Sequence, residues 1–370
     1  MKITNIEAIP FAIPYVKPLH FASGEVTVAD NVLVRVHTDD GLIGVAEALT
    51  RPYTYGETQG SIVSILRDVF SPALVGTDPF AREKVRAVLG RTIANNTAKG
   101  AIDLALWDLI GQAVGQPCTA LLGGWGCSMR VSHMVGFAPE QEMVDEAQMM
   151  RDRYGITTFK VKVGRRPVAL DVQATKALRA GLGDDVELYL DANRGWTAQE
   201  ALGAVTQLAD VGLTLLEEPC PNDDVLGRRR VVERSPVPVV GDESCTRLPE
   251  VARNLLDGMC SVISVKTART GFTESQRIVG LCEGLGVETV MGNQIDGQLG
   301  SLASVAFGAA HASTSVRAGE LSNYLSLSDD LLAEPLEIVD GRMFARERPG
   351  LGAELDLDKV ARYRTDGGSS

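Results

Sequence analysis

Five charged side chains each close a short apolar run in this chain: Lys162, Asp191, Glu217, Asp242 and Lys266. The intervals between them are 29, 26, 25 and 24 residues. Each interval holds one strand, one helix and two turns, and that alternation is the pattern of a parallel (β/α) barrel. The C-terminal ends of barrel strands converge on one mouth, so the five groups are expected to meet around one cavity. Three carboxylates flanked by ammonium groups describe a divalent-metal site with a base on either side.

Strands are expected near 131–136, 157–163, 186–191, 213–218, 237–242, 261–266, 287–292 and 315–320. Helices fill the intervals, including 141–154, 168–180, 198–210, 249–256, 274–285 and 300–312. Side chains two apart on a strand share a face. Lys160 therefore points the same way as Lys162, and Tyr189 and Asn193 the same way as Asp191. Two ammonium groups on one face near a metal are expected to lower each other's pKa from about 10.4. Residues 1–125 read differently. Strand-like segments with a turn at Asp39-Asp40-Gly41 come first, followed by helical periodicity over 58–70, 79–89 and 97–114. Strands and then helices make an α+β unit. The expected organisation is an α+β capping domain over 1–125, a barrel over 126–325 and a tail over 326–370 that returns to the capping domain.

Composition narrows the function. A net charge of −12, with no Lys/Arg run, argues against a nucleic-acid partner. Six cysteines without a C-x-x-C spacing fit free thiols in a reducing compartment. No signal peptide and no membrane-length apolar run is read, so the expectation is a cytoplasmic protein without a membrane partner. The four histidines are scattered and none ends the sixth or seventh barrel strand, which argues against histidine-based proton transfer. His20, in a loop, reads either as a solvent-exposed residue or as a substrate contact, whereas His133 on the first barrel strand reads as a core residue. No G-x-S-x-G or P-loop is present.

The runs Lys160-Val161-Lys162, Asp191-Ala192-Asn193, Glu217-Glu218-Pro219, Asp242-Glu243-Ser244 and Ile263-Ser264-Val265-Lys266 resemble the enolase superfamily, and within it the muconate lactonizing subgroup. The likeness covers nearly the whole chain, including the tail over 350–356. It implies a modified TIM barrel, (β/α)₇β, under an α+β capping domain. It implies Mg²⁺ (or Mn²⁺) held by Asp191, Glu217 and Asp242, with Lys162 and Lys266 as the acid/base pair; Lys160, on the same strand face, reads as a group that tunes Lys162. Glu320 in Ala318-Gly319-Glu320 matches the subgroup's carboxylate after the eighth strand. The implied activity is reversible lactonization of cis,cis-muconate, a small dicarboxylate, through a metal-stabilised enolate, with a place in catechol degradation. Family habit implies a homo-oligomer.

The same motifs serve o-succinylbenzoate synthases, N-succinylamino acid racemases and dipeptide epimerases, and a non-catalytic dicarboxylate-binding barrel is a rival of another class. Specificity is expected in the loops over 19–26 and 50–57 and after the seventh strand. Their candidate substrate contacts are His20, Ser23, Tyr53, Tyr55, Asn293, Gln294 and Asp296, joined by Asn193 on the barrel. Asp296 is the obvious acidic partner that an epimerase would offer to a substrate ammonium.

Overall fold

The alternating pattern of the first fifty residues builds an antiparallel sheet. The computed structural model describes residues 1–21 and 24–367; Ser23 lies outside them. Strand β1 (Ile3–Pro10) pairs with β4 (Val32–Thr38), and β4 with β5 (Ile43–Ala48). Between β1 and β4 the chain forms a hairpin of β2 (Ile13–Phe21) and β3 (Gly24–Ala29). This hairpin leans over the barrel mouth. Tyr15 and Ala29 pack with Ile295 of a barrel loop, and the Phe137 amide donates to the His20 carbonyl.

The long helix Asn96–Val114 joins the sheet to the barrel. It approaches so closely that a Cβ on Gly100 would stand 2.8 Å from the Ala268 carbonyl oxygen. Only glycine permits that contact, which sets the capping domain directly against the 267–270 turn.

Eight parallel strands follow: β6 (Ser128–Val135), β7 (Thr158–Lys162), β8 (Glu187–Asp191), β9 (Leu213–Glu217), β10 (Val239–Gly241), β11 (Val262–Val265), β12 (Glu288–Met291) and β13 (Gly319–Glu320). Neighbours in sequence are neighbours in the sheet from β6 to β12, and β13 returns beside β6. Seven helices separate them: Glu140–Tyr154, Ala169–Leu182, Ala198–Gln207, Val225–Arg234, Leu248–Leu256, Thr267–Leu285 and Gln298–Ala310. The fold is a (β/α)₇β barrel with an α+β capping domain. Local signals agree with it, as where Thr197 and Glu200 form a capping box at the start of Ala198–Gln207. Tyr189, Leu215, Val240, Val262 and Val290, one from each of β8 to β12, fill the barrel as a buried layer.

Three elements differ from the sequence expectation, the first being 19–26, expected as a loop but formed by the facing ends of β2 and β3. The eighth strand is two residues long, because Thr314 and Ser315 hydroxyls bond back to the Gly308 carbonyl and keep the preceding chain in a turn. The sixth helix begins at Thr267 and is broken at Gly271, whose φ of 62° is open to glycine. The tail pairs strand β14 (Ile338–Val339) with β15 (Arg342–Phe344) and β15 with β6, and then reaches the capping domain, where the Ala12 amide donates to the Tyr363 carbonyl. Among the described residues no helix is long and apolar enough to cross a membrane.

Candidate active site

Strand register sets the charged side chains level. Lys160 pairs with Tyr189, Lys162 with Asp191, Asp191 with Glu217, and Val240 with Glu217. Asp242 and Lys266 follow directly on β10 and β11, one residue beyond each strand. β7 and β11 are separated by β8, β9 and β10, so Lys162 and Lys266 face each other across the barrel. The three intervening strand ends carry Asp191, Glu217 and Asp242 as an arc between them.

Within that arc every ammonium meets a carboxylate. The Lys160 Nζ lies 3.0 Å from Asp191, 2.7 Å from Glu217 and 2.8 Å from Glu320. Lys162 donates to Asp191 at 2.5 Å and to the Asn193 Oδ1 at 2.7 Å. Lys266 donates to Asp242, whose other oxygen accepts from Arg269 at 2.8 Å. Burial alone would raise the Asp191 carboxyl, but Lys160 and Lys162 outweigh it and bring its pKa to about 2. Asp242 is lowered in the same way, by Lys266 and Arg269 against burial.

The lowering expected for Lys160 is reversed. Burial works toward it, but Asp191, Glu217 and Glu320 together hold this ammonium well above its ordinary range. The sequence expectation weighed a neighbouring lysine and a bound metal, and not the three carboxylates that surround the ammonium. Lys266 is likewise raised against burial by Asp242.

Glu217 is the exception among the acids. Burial, with Asp191, Glu320 and Asp242 close by, pushes it well above the carboxylate range despite Lys160. Its Oε2 is buried and has no hydrogen-bond partner. A crowded carboxylate with an unreached oxygen is what an added cation relieves. The donors are all oxygen, which suits a hard divalent ion. Among the described residues no three carboxylate, thiol or imidazole groups converge as a ready cage, since Lys160 bridges Asp191 and Glu217.

Residues 142–360 match the family described as enolase C-terminal domain-like, and residues 5–123 match the mandelate racemase/muconate lactonizing enzyme N-terminal domain. The chain belongs to the enolase superfamily. A crystal structure of a muconate lactonizing enzyme from M. smegmatis, complexed with muconolactone, is 55% identical with a TM-score of 0.98, covering 99% of this chain and 100% of that one. A muconate cycloisomerase 1 from Rhodococcus opacus is 30% identical over 97% of this chain and 98% of its own. An L-Ala-D/L-Glu epimerase from Bacillus subtilis is also 30% identical, over 95% and 96%. The last two relatives, equally identical to this chain, carry different activities within the superfamily.

The cavity above this enolase-superfamily arc is lined by most of the expected residues: Lys160, Lys162, Lys266, Glu320, Asn193, Tyr55, Asn293 and Gln294. Asp242 reaches it, while Asp191 and Glu217 are buried beneath. Three expected contacts fall elsewhere. Tyr53 is 82% exposed and faces a separate cleft beside the hairpin. His20 sits on strand β2 opposite Glu25 of β3, half exposed and 3.5 Å from its carboxylate. Asp296 folds into its own loop, accepting from the Gln294 amide at 3.0 Å and the Ser304 hydroxyl at 3.3 Å. His133 is buried between Ser322 and Glu146, as a core residue.

The cavity also holds groups that sequence reasoning did not single out: Arg51, Arg194, Glu243 and Asn323. Beside it stands Arg269, 3% exposed, whose Nη1 donates both to Asp242 and, at 2.6 Å, to the Tyr55 hydroxyl. One guanidinium thus ties the capping loop to the barrel arc. Arg269 lies three residues after Lys266, and the helical turn that begins at Thr267 brings the pair to one side.

Proposed function

We propose that the protein is a muconate cycloisomerase, an isomerase that interconverts cis,cis-muconate and muconolactone. The observation that carries the chemistry is the placing of Lys162 and Lys266 on opposed strands of one cavity, with acidic groups between them. The 55% identity to a muconolactone-bound enzyme over the whole chain supports the substrate.

Muconate cycloisomerases of this superfamily use a divalent metal. Asp191, Glu217 and Asp242 would hold it, with Mg²⁺ favoured by the all-oxygen donor set, and it would supply the positive charge that a developing enolate needs. The chain's own residues do the rest. Arg269 holds Asp242 in place, and Lys160 does the same for Glu217 and Glu320. One substrate carboxylate adds to the carbon β to the other carboxylate, and the electron pair passes toward that second group. A lysine on one face then delivers a proton to the α-carbon, and in reverse it removes that proton. The lysine across the cavity offers its charge to the opposite face of the same planar intermediate.

An epimerase reading fits less well, because the acid that the sequence offered to a substrate ammonium, Asp296 after the seventh strand, is turned into its own loop. The test is the loss of muconate's ultraviolet absorbance on adding enzyme and Mg²⁺, run beside α-proton exchange on L-Ala-D/L-Glu and on an N-succinylamino acid. Muconate consumption without exchange is expected; exchange with muconate untouched would overturn the reading.

A further inference from the structure

The two carboxylates of muconate meet different fates. One remains a carboxylate. The other loses its charge as one of its oxygens forms the new C–O bond and the group becomes a neutral lactone. The lysines and the acidic arc all belong to the barrel wall. The capping domain forms the facing wall through Arg51, Thr54 and Tyr55.

Arg51 is held at its backbone from both sides. Its amide donates to the Glu57 carbonyl at 3.0 Å, and its own carbonyl accepts from Tyr55 at 2.8 Å and Gly56 at 3.1 Å. Its side chain therefore leaves a clamped point and lines the cavity, where burial works against its charge and the field of Tyr15, Tyr55, Asp296 and Glu243 favours it. The cavity's other guanidinium, Arg194, belongs to the barrel and lies 3.7 Å from Glu243.

We propose that Arg51 is the positioning residue for the nucleophilic carboxylate of the substrate. A guanidinium binds one oxygen or both, and its planar fork fixes the orientation of the group it holds. The attacking oxygen bonds to the carbon β to the far carboxylate. The displaced π pair passes to the α-carbon and that carboxylate, and a lysine proton completes the lactone, with no redox change. As the bound carboxylate becomes an ester, its charge-assisted bond to Arg51 weakens and the product is released. In reverse, the same side chain meets negative charge as it develops on the departing oxygen.

The proposal rests on the muconate reading, and its test separates the two. Steady-state kinetics are measured in both directions for the wild type, Arg51→Gln and Arg51→Lys. A wild type that ignores muconate overturns the function itself. With an active wild type, Arg51→Gln is expected to raise the KM for muconate roughly tenfold to a hundredfold, the loss typical of one charge-assisted bond. The KM for muconolactone should stay within about twofold while its reverse kcat falls, since the equilibrium constant makes the loss in kcat/KM equal in both directions. Deuterium wash-in at the α-position of muconolactone needs no ring opening and should stay within about threefold of wild type. Arg51→Lys should restore part of the muconate KM. Equal rises in both KM values together with lost exchange would mark a merely structural residue, and no change in any constant would leave Arg51 without a role; either overturns the proposal.

Discussion

The cavity has two walls, and they are built on different principles. On the barrel wall, strand register alone sets Lys162, Asp191 and Glu217 level, and each side chain two residues back lies directly beneath. On the capping wall, Tyr53 and Tyr55 are also two residues apart, yet one is 82% exposed and the other bonds Arg269. The difference is backbone geometry. Residues 52–55 form one helical turn ended by Gly56 at φ 78°, and in a helix side chains two apart point roughly 200° apart. A wall of strands can be read by counting, whereas a wall of short turns cannot.

The largest effects should come from the barrel wall. Chelation, or Glu217→Gln, should lower turnover on the order of a thousandfold or more, because charge stabilisation at the reacting centre is lost. Thermal unfolding should remain cooperative in Glu217→Gln. Full activity after exhaustive chelation would remove the metal from the account. Lys162→Ala and Lys266→Ala should each cost on the order of 10²–10⁴ in kcat.

The capping wall should respond less. Tyr55→Phe removes a neutral hydroxyl that accepts from Arg269, and a loss of about tenfold in kcat/KM is expected from one bond to a charged group. Tyr53→Phe should leave both constants unchanged within error, and a loss as large as that of Tyr55→Phe would break the contrast between the two side chains.

The junction between the walls makes a prediction about stability. Glu47 of β5 is buried, its two oxygens accepting from Asn31 and from the Gly300 amide. Burial, with Asp330 and Asp296 nearby, pushes its pKa up to about 8. A carboxyl raised on folding keeps its proton in the native state while the unfolded chain has lost it. This contribution is therefore whole below the ordinary value of 4.5 and is lost as the pH rises toward 8. Melting temperature should fall between pH 5.5 and pH 8 by more in the wild type than in Glu47→Gln. Equal slopes would place the proton elsewhere.

These contrasts also explain what was legible beforehand. The parallel strands are buried on both faces and read as apolar runs, so a terminal charge marks the strand end and the mouth of the barrel. That is why Asp191, Glu217, Asp242 and the lysines were found as one set. The eighth strand is shorter than expected because the β-branched Val316 reads as a strand residue, while the Thr314 and Ser315 bonds to Gly308 decide the turn. Arg269 was passed over because the helix was expected to begin at 274, and the extra turn over 267–270 is visible only once Gly271 is known to break it. Asp296 looked like a substrate contact because an acid in a polar loop has no sequence mark that tells a ligand from a loop's own hydrogen-bond acceptor.

Centrally, one of two opposed lysines moves a proton at the carbon α to a carboxylate while the other stabilises the charge on the opposite face. The most direct test is lactonization of muconate in deuterium oxide by the wild type and by each lysine variant. The account predicts a lactone with one deuterium in a single configuration at the α-position, formed by the wild type and nearly lost when either Lys162 or Lys266 is replaced by alanine. A variant lacking both lysines that still forms the same singly labelled lactone at the wild-type rate would contradict it.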